Sequence, residues 1–144
     1  MTFAEAAAIP QAGMLAVQGL RDIDRLEPGG RLLVNGAGGG VGTFAIQLAK
    51  LRGVHVTGVD SASKLELLRS LGCDRVVDYE QENFARSDER YDMVLDVRTN
   101  RPLADYLRVL SPDGLHVTVG GELGKLLQIV AFGRFFTRGT RVTL

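Results

Sequence analysis

The stretch Asn35-Gly36-Ala37-Gly38-Gly39-Gly40-Val41-Gly42 is the part of this sequence best suited to chemistry. It follows the apolar run Arg31-Leu32-Leu33-Val34-Asn35, a strand after the turn residues Pro28-Gly29-Gly30. It precedes Val41–Arg52, where Val41, Ala45, Leu48 and Ala49 share one helical face and Gly53 ends the segment. Free N–H groups at a helix start, backed by the helix dipole, hold anions. Glycines let a diphosphate approach that backbone with no side chain in the way. A glycine loop between strand and helix is thus the setting of a dinucleotide fingerprint. Several registers fit. The best puts Ala37, Gly39 and Gly42 at the three fingerprint positions, with Gly38, Gly40 and Val41 supplying further loop amides.

A second feature adds weight. Asp60 ends the next apolar run, Val54–Val59, eighteen residues after Gly42. An acid there can accept hydrogen bonds from the adenosine ribose hydroxyls. Its charge favours NAD over NADP, because it repels a 2′-phosphate. Ser61, Ser63 and Lys64 follow, and hydroxyls with a lysine could hold that phosphate. The same residues also read as a helix cap and a solvated surface. The cofactor is therefore NAD or NADP, with a small lean to NAD.

The elements that must position these groups alternate. Ser63 is expected to cap a helix through Leu71, with Glu66 completing a capping box. Arg75–Asp78 reads as a short third strand and Tyr91–Val97 as a fourth. Pro102 opens a helix to Leu110, Ser111–Gly114 is a turn, and Leu115–Val119 is a fifth strand. An apolar helix is expected over Leu123–Phe136 and a sixth strand over Thr140–Leu144. Strands separated by helices require parallel pairing through crossovers. The expected fold is an α/β doubly wound parallel six-stranded sheet of the Rossmann type, order 3-2-1-4-5-6, with helices on both faces. The loops after strands one and four then flank a crevice. The first thirty residues differ: Phe3–Ile9 and Gly13–Leu26 are helical in pattern, broken at Pro10. Residues 1–30 form a helical lead-in, and 31–144 the nucleotide-binding domain.

Composition excludes several classes. The chain has 144 residues, 45% hydrophobic and 24% charged, with 17 basic and 17 acidic side chains. That balance gives no electrostatic case for nucleic acid or an anionic membrane surface. No apolar stretch reaches the roughly 18 residues of a membrane span, and no signal peptide is evident, so the expected location is cytoplasmic. One cysteine excludes an internal disulfide and multi-cysteine zinc motifs. The 18 glycines exceed ordinary usage of about 7% and cluster at the ends of apolar runs.

With these residues in hand, the chain resembles the medium-chain dehydrogenase/reductase superfamily, in its quinone-oxidoreductase-like branch. The resemblance rests on Ala6-Ala7-Ala8-Ile9-Pro10, Glu27-Pro28-Gly29, Gly39-Gly40-Val41-Gly42, Ala45-Ile46-Gln47-Leu48-Ala49-Lys50, Val56-Thr57-Gly58-Val59, Leu71-Gly72-Cys73-Asp74, Val77-Asp78-Tyr79 and Val119-Gly120-Gly121. It covers nearly the whole chain. It implies an NAD(P)(H)-dependent reductase of quinones, enones or related carbonyl compounds. It also implies a GroES-like domain before Phe3, without which this stretch binds dinucleotide but does not turn over. By family position the adenosine ribose meets Asp60, Ser61 and Lys64, and Tyr79 lies near the adenine. Val97 lies beside the cleft, and Gly120 and Gly121 lie near the nicotinamide. Tyr79 reads equally as a half-buried strand-end aromatic. Three departures stand out. Gln11 replaces the zinc ligand of zinc-dependent relatives, so no zinc is expected. Leu15 replaces a threonine. Arg98 replaces the usual glycine, and could clash with the nicotinamide ribose or hold phosphates. No catalytic acid or base is assigned.

Two other classes remain open. An S-adenosylmethionine-dependent methyltransferase suits the glycine loop and Asp60, but such domains carry an acid near the end of strand one, where Leu33-Val34-Asn35 has none. A non-catalytic dinucleotide sensor, dimeric through its sixth strand, is the third reading. A short-chain dehydrogenase is disfavoured, since no tyrosine has a lysine four residues on.

Overall fold

In the computed structural model, residues 2–120 and 141–143 are described. Strands β1 (Arg31–Asn35), β2 (His55–Asp60), β3 (Arg75–Asp78), β4 (Tyr91–Asp96), β5 (Leu110–Thr118) and β6 (Arg141–Thr143) form one sheet. Its order is β3-β2-β1-β4-β5-β6, and every pairing is parallel. The helices are α1 (Phe3–Gly19), α2 (Gly40–Leu51), α3 (Leu65–Ser70) and α4 (Leu103–Val109).

Alternation along the strands sorts the core into two layers. Leu32, Val34, Val54, Val56, Leu95 and Val117 face one side, where Ala16 of α1, Leu20 just after it, Ala45 and Ala49 of α2 and Leu68 of α3 cover them. Leu33, Val59, Val77 and Val94 face the other, under Tyr106 and Val109 of α4 and Phe84 and Ala85 of a short 3₁₀ turn. Helices therefore cover both faces, as buried parallel strands require.

Three local expectations need correction. Pro10 does not break the first helix, and α1 runs through it. Proline already has helical φ, and the exposed position lets water serve the carbonyl it leaves unpaired. The Ser63–Glu66 capping box does not form. A 3₁₀ turn, Ala62–Lys64, precedes α3, and the Ser63 hydroxyl lies 3.2 Å from the Ser61 hydroxyl instead. The segment Ser111–Gly114 is not a simple turn before β5. It bulges from within β5: Leu110 pairs with Tyr91 and Leu115 with Met93, and Asp113 takes φ +65°. The helix expected over 123–136 lies outside the described residues.

Candidate functional site

The glycine loop turns at Gly36, which has φ +81°. The sharp turn falls at Gly36, one position before Ala37. Left-handed φ is what glycine tolerates at little cost. The Gly36 and Ala37 amides both donate to the Val59 carbonyl, at 3.0 and 3.1 Å, which hangs the loop on β2. Gly39 caps α2, and the first helical bond is Thr43 N–H to the Gly39 carbonyl. The amides of Gly40, Val41 and Gly42 are therefore left open at the helix start. Gly40 is exposed and Gly39 half-buried, so this end faces solvent.

Space requires glycine at position 42 and crowds position 38. A Cβ on Gly42 would lie 2.4–2.6 Å from the Ala37 backbone, so this glycine lets helix and loop pack together. A Cβ on Gly38 would lie 2.4 Å from the Lys64 side chain and 3.1 Å from the Asp60 carboxylate. A bare backbone with open amides, closed by glycines at its tightest points, fits a diphosphate.

Asp60 behaves differently from a free acceptor. Its side chain is only 7% exposed. One oxygen accepts from the Gly38 amide at 2.7 Å, the other from the Ser61 amide at 2.9 Å, and the Lys64 ammonium stands 3.5 Å away. Asp60 thus braces the loop it was expected to complement. Tyr79 is adjacent, its amide donating to the Asp60 carbonyl, and it packs half-buried against the second core layer.

Across the crevice the loop after β4 meets the glycine turn. A Cβ on Gly36 would lie 3.2 Å from the Arg98 Cβ and 3.6 Å from that of Val97. Thr99 is buried with φ +46°, a strained position for a branched residue. Its amide donates to Asp96 at 2.8 Å, and its hydroxyl donates to the Gly120 carbonyl at 2.6 Å. Those bonds lock the β4 and β5 loops together beside Val97 and Gly120. Gly121 lies outside the described residues. Beside Gly120, a pocket of about 380 Å³ is lined by Leu15, Gln18, Gly19, Val117, Thr118 and Val119, among others.

Beneath this floor lies a polar cluster that the sequence reading missed. Asn35 donates to Asp96 at 2.9 Å, to Tyr106 at 3.0 Å and to Asn100 at 3.2 Å. His116 stacks on Tyr106 at 4.9 Å and stands 4.0 Å from Asp96, with both His116 and Asp96 wholly buried. Burial pushes the His116 pKa down to about 4, against the pull of Asp96. Burial and the Asp96 charge push the Tyr106 phenol well up. The available signal was faint: Asn35 and Asp96 are polar residues ending apolar runs, and only strand pairing sets them side by side.

Cys73 is partly buried, and burial, with Asp74 next to it, raises its thiol to about 11, too high for a nucleophile at neutral pH. Among the described residues no cluster of His, Cys, Asp and Glu converges as metal ligands would. No helix among them is long and apolar enough to cross a membrane.

Residues 40–143 match the zinc-binding dehydrogenase family. The chain belongs to that family. A chloroplast envelope quinone oxidoreductase homolog from Arabidopsis thaliana is 39% identical over 120 residues, covering 77% of this chain and 36% of that protein. The solved quinone oxidoreductase of Coxiella burnetii superposes with a TM-score of 0.83 at 26% identity, over 100% of this chain and 45% of the other. That of Thermus thermophilus, solved alone and with NADPH, gives 0.75 at 27%, over 100% and 46%. The chain therefore spans less than half the length of these family members. The fold and the order of elements agree with a medium-chain dehydrogenase/reductase cofactor domain.

Proposed function

We propose that this chain is the NAD(P)(H)-binding part of an oxidoreductase acting on a quinone, enone or related carbonyl compound. The observation that carries it is the glycine loop: amides at Gly40–Gly42 with no helical partner, set by a turn at Gly36, at a helix start whose Gly40 is exposed. A bound nicotinamide would supply the hydride. This chain's residues would do the holding. The Gly38–Gly42 backbone would take the diphosphate, and Asp60, Ser61, Lys64 and Tyr79 the adenosine end. Val97, Gly120 and Gly121 would flank the nicotinamide, with the pocket at Leu15 and Thr118 adjoining.

The cofactor is NAD(H) ahead of NADP(H) by a small margin. The Asp60 carboxylate would repel a 2′-phosphate, while Lys64 beside it tempers the repulsion. The carbonyl substrate and the need for a GroES-like partner domain rest on family likeness. With Gln11 at the ligand position and one cysteine in the chain, zinc has no part in the proposal. Dimerisation through the β6 edge and a cytoplasmic location remain proposals of the same standing.

Calorimetric titration with NADH, NADPH and S-adenosylmethionine in parallel tests the reading. A reduced nicotinamide dinucleotide should saturate the chain, while dinucleotide oxidation with a quinone stays at background. Saturable binding of S-adenosylmethionine with neither dinucleotide binding would hand the site to methyl transfer.

A further inference from the structure

We propose that Arg98 is a second phosphate-binding element, clamping the dinucleotide's diphosphate from the side opposite α2; this rests on the dinucleotide reading above. Arg98 is exposed, and among the described residues it makes no ion pair. Its place is fixed rather than free. The Val97 amide donates to the Asn35 carbonyl on one side, and on the other Thr99 is tied to Asp96 and Gly120. The Arg98 Cβ consequently sits where a Cβ on Gly36 would be 3.2 Å away. Gly36 in turn accepts from the Gly39 amide at 3.3 Å, and Gly39 caps α2. The Arg98 Cβ thus sits against the glycine turn that leads into the helix start, across the crevice from α2.

Two features make a clamp the better account than an obstruction. The strained Thr99, buried and doubly hydrogen-bonded, holds the backbone flanking Arg98, and such strain persists only where surroundings enforce it. The acid nearest the loop, Asp60, is already engaged by two amides and faced by Lys64, so it does not compete for the guanidinium. A guanidinium rooted beside the glycine turn, with no ion pair among the described residues, supplies the forked, charge-assisted donors that phosphate oxygens accept.

The test uses the whole 144-residue chain with Arg98→Gln and Arg98→Lys, both checked for unchanged melting temperature. Calorimetry reads the affinity for ADP, NADH and adenosine. Arg98→Gln should weaken ADP and NADH about tenfold or more, the size of one charge-assisted bond to phosphate. Arg98→Lys should restore most of that loss, and adenosine should not discriminate among the three proteins. Raised salt should weaken the native chain more than Arg98→Gln. Unchanged or tighter ADP binding by Arg98→Gln would overturn the clamp while leaving the dinucleotide site standing. Failure of the native chain to bind ADP or NADH at all would overturn both.

Discussion

Gly42 is the residue on which the site geometry turns most sharply. An added methyl group would press on backbone, which cannot step aside as a side-chain tip can. Gly42→Ala should cost about 2 kcal/mol of stability by overpacking, read as a lowered urea midpoint, with dinucleotide binding lost alongside. His116 carries a pH signature. Its folded pKa of about 4 lies below the ordinary 6.5, so the unfolded chain binds the extra proton first. Stability from the neutral ring is complete above pH 6.5 and is lost as pH falls from 6.5 through 4. His116→Phe, which keeps a ring against Tyr106, should flatten that stretch of the stability–pH curve. An equal slope in both proteins would remove His116 as its source. Neither effect could be had from sequence alone. His116 reads there as one polar residue in an apolar strand, and its neighbours Tyr106 and Asp96 lie 10 and 20 positions away.

At the scale of elements, periodicity and turn residues placed most segments within a residue or two. β3 came out as Arg75–Asp78, as read, and α2 shifted by one residue. The misses share a cause. Proline, serine and the Ser-Pro-Asp-Gly motif were read as local punctuation, and each admits more than one local outcome. Helical φ at the proline, with water on the carbonyl it frees, lets α1 run through Pro10. The Leu110–Tyr91 pairing keeps the Ser111–Gly114 bulge inside β5. Pro10 should still cost helix stability. Pro10→Ala restores one hydrogen bond and relieves a penalty of up to about 3 kcal/mol, offset by about 0.4–1 kcal/mol of unfolded-state entropy. A net gain of about 2 kcal/mol, seen as a higher melting temperature, is expected.

At the scale of the molecule, the six-strand order was legible because glycine, apolar runs and helical faces alternate along the whole sequence. The crevice followed from that order, since β1 and β4 are neighbours whose crossovers run to opposite sides. The bracing contact made by Asp60 did not follow. An acid at that place reads as a ligand acceptor, and only coordinates show it turned onto the Gly38 amide.

That inward carboxylate has a kinetic consequence. With the bend pinned by Val59 on one flank and Asp60 on another, the pocket lip is already in its finished shape before anything arrives. Encounter should then be a single step. In stopped-flow mixing with NADH, the observed rate should climb in a straight line with ligand concentration. A curve levelling to a plateau would reveal a slow gate that this bracing is built to avoid.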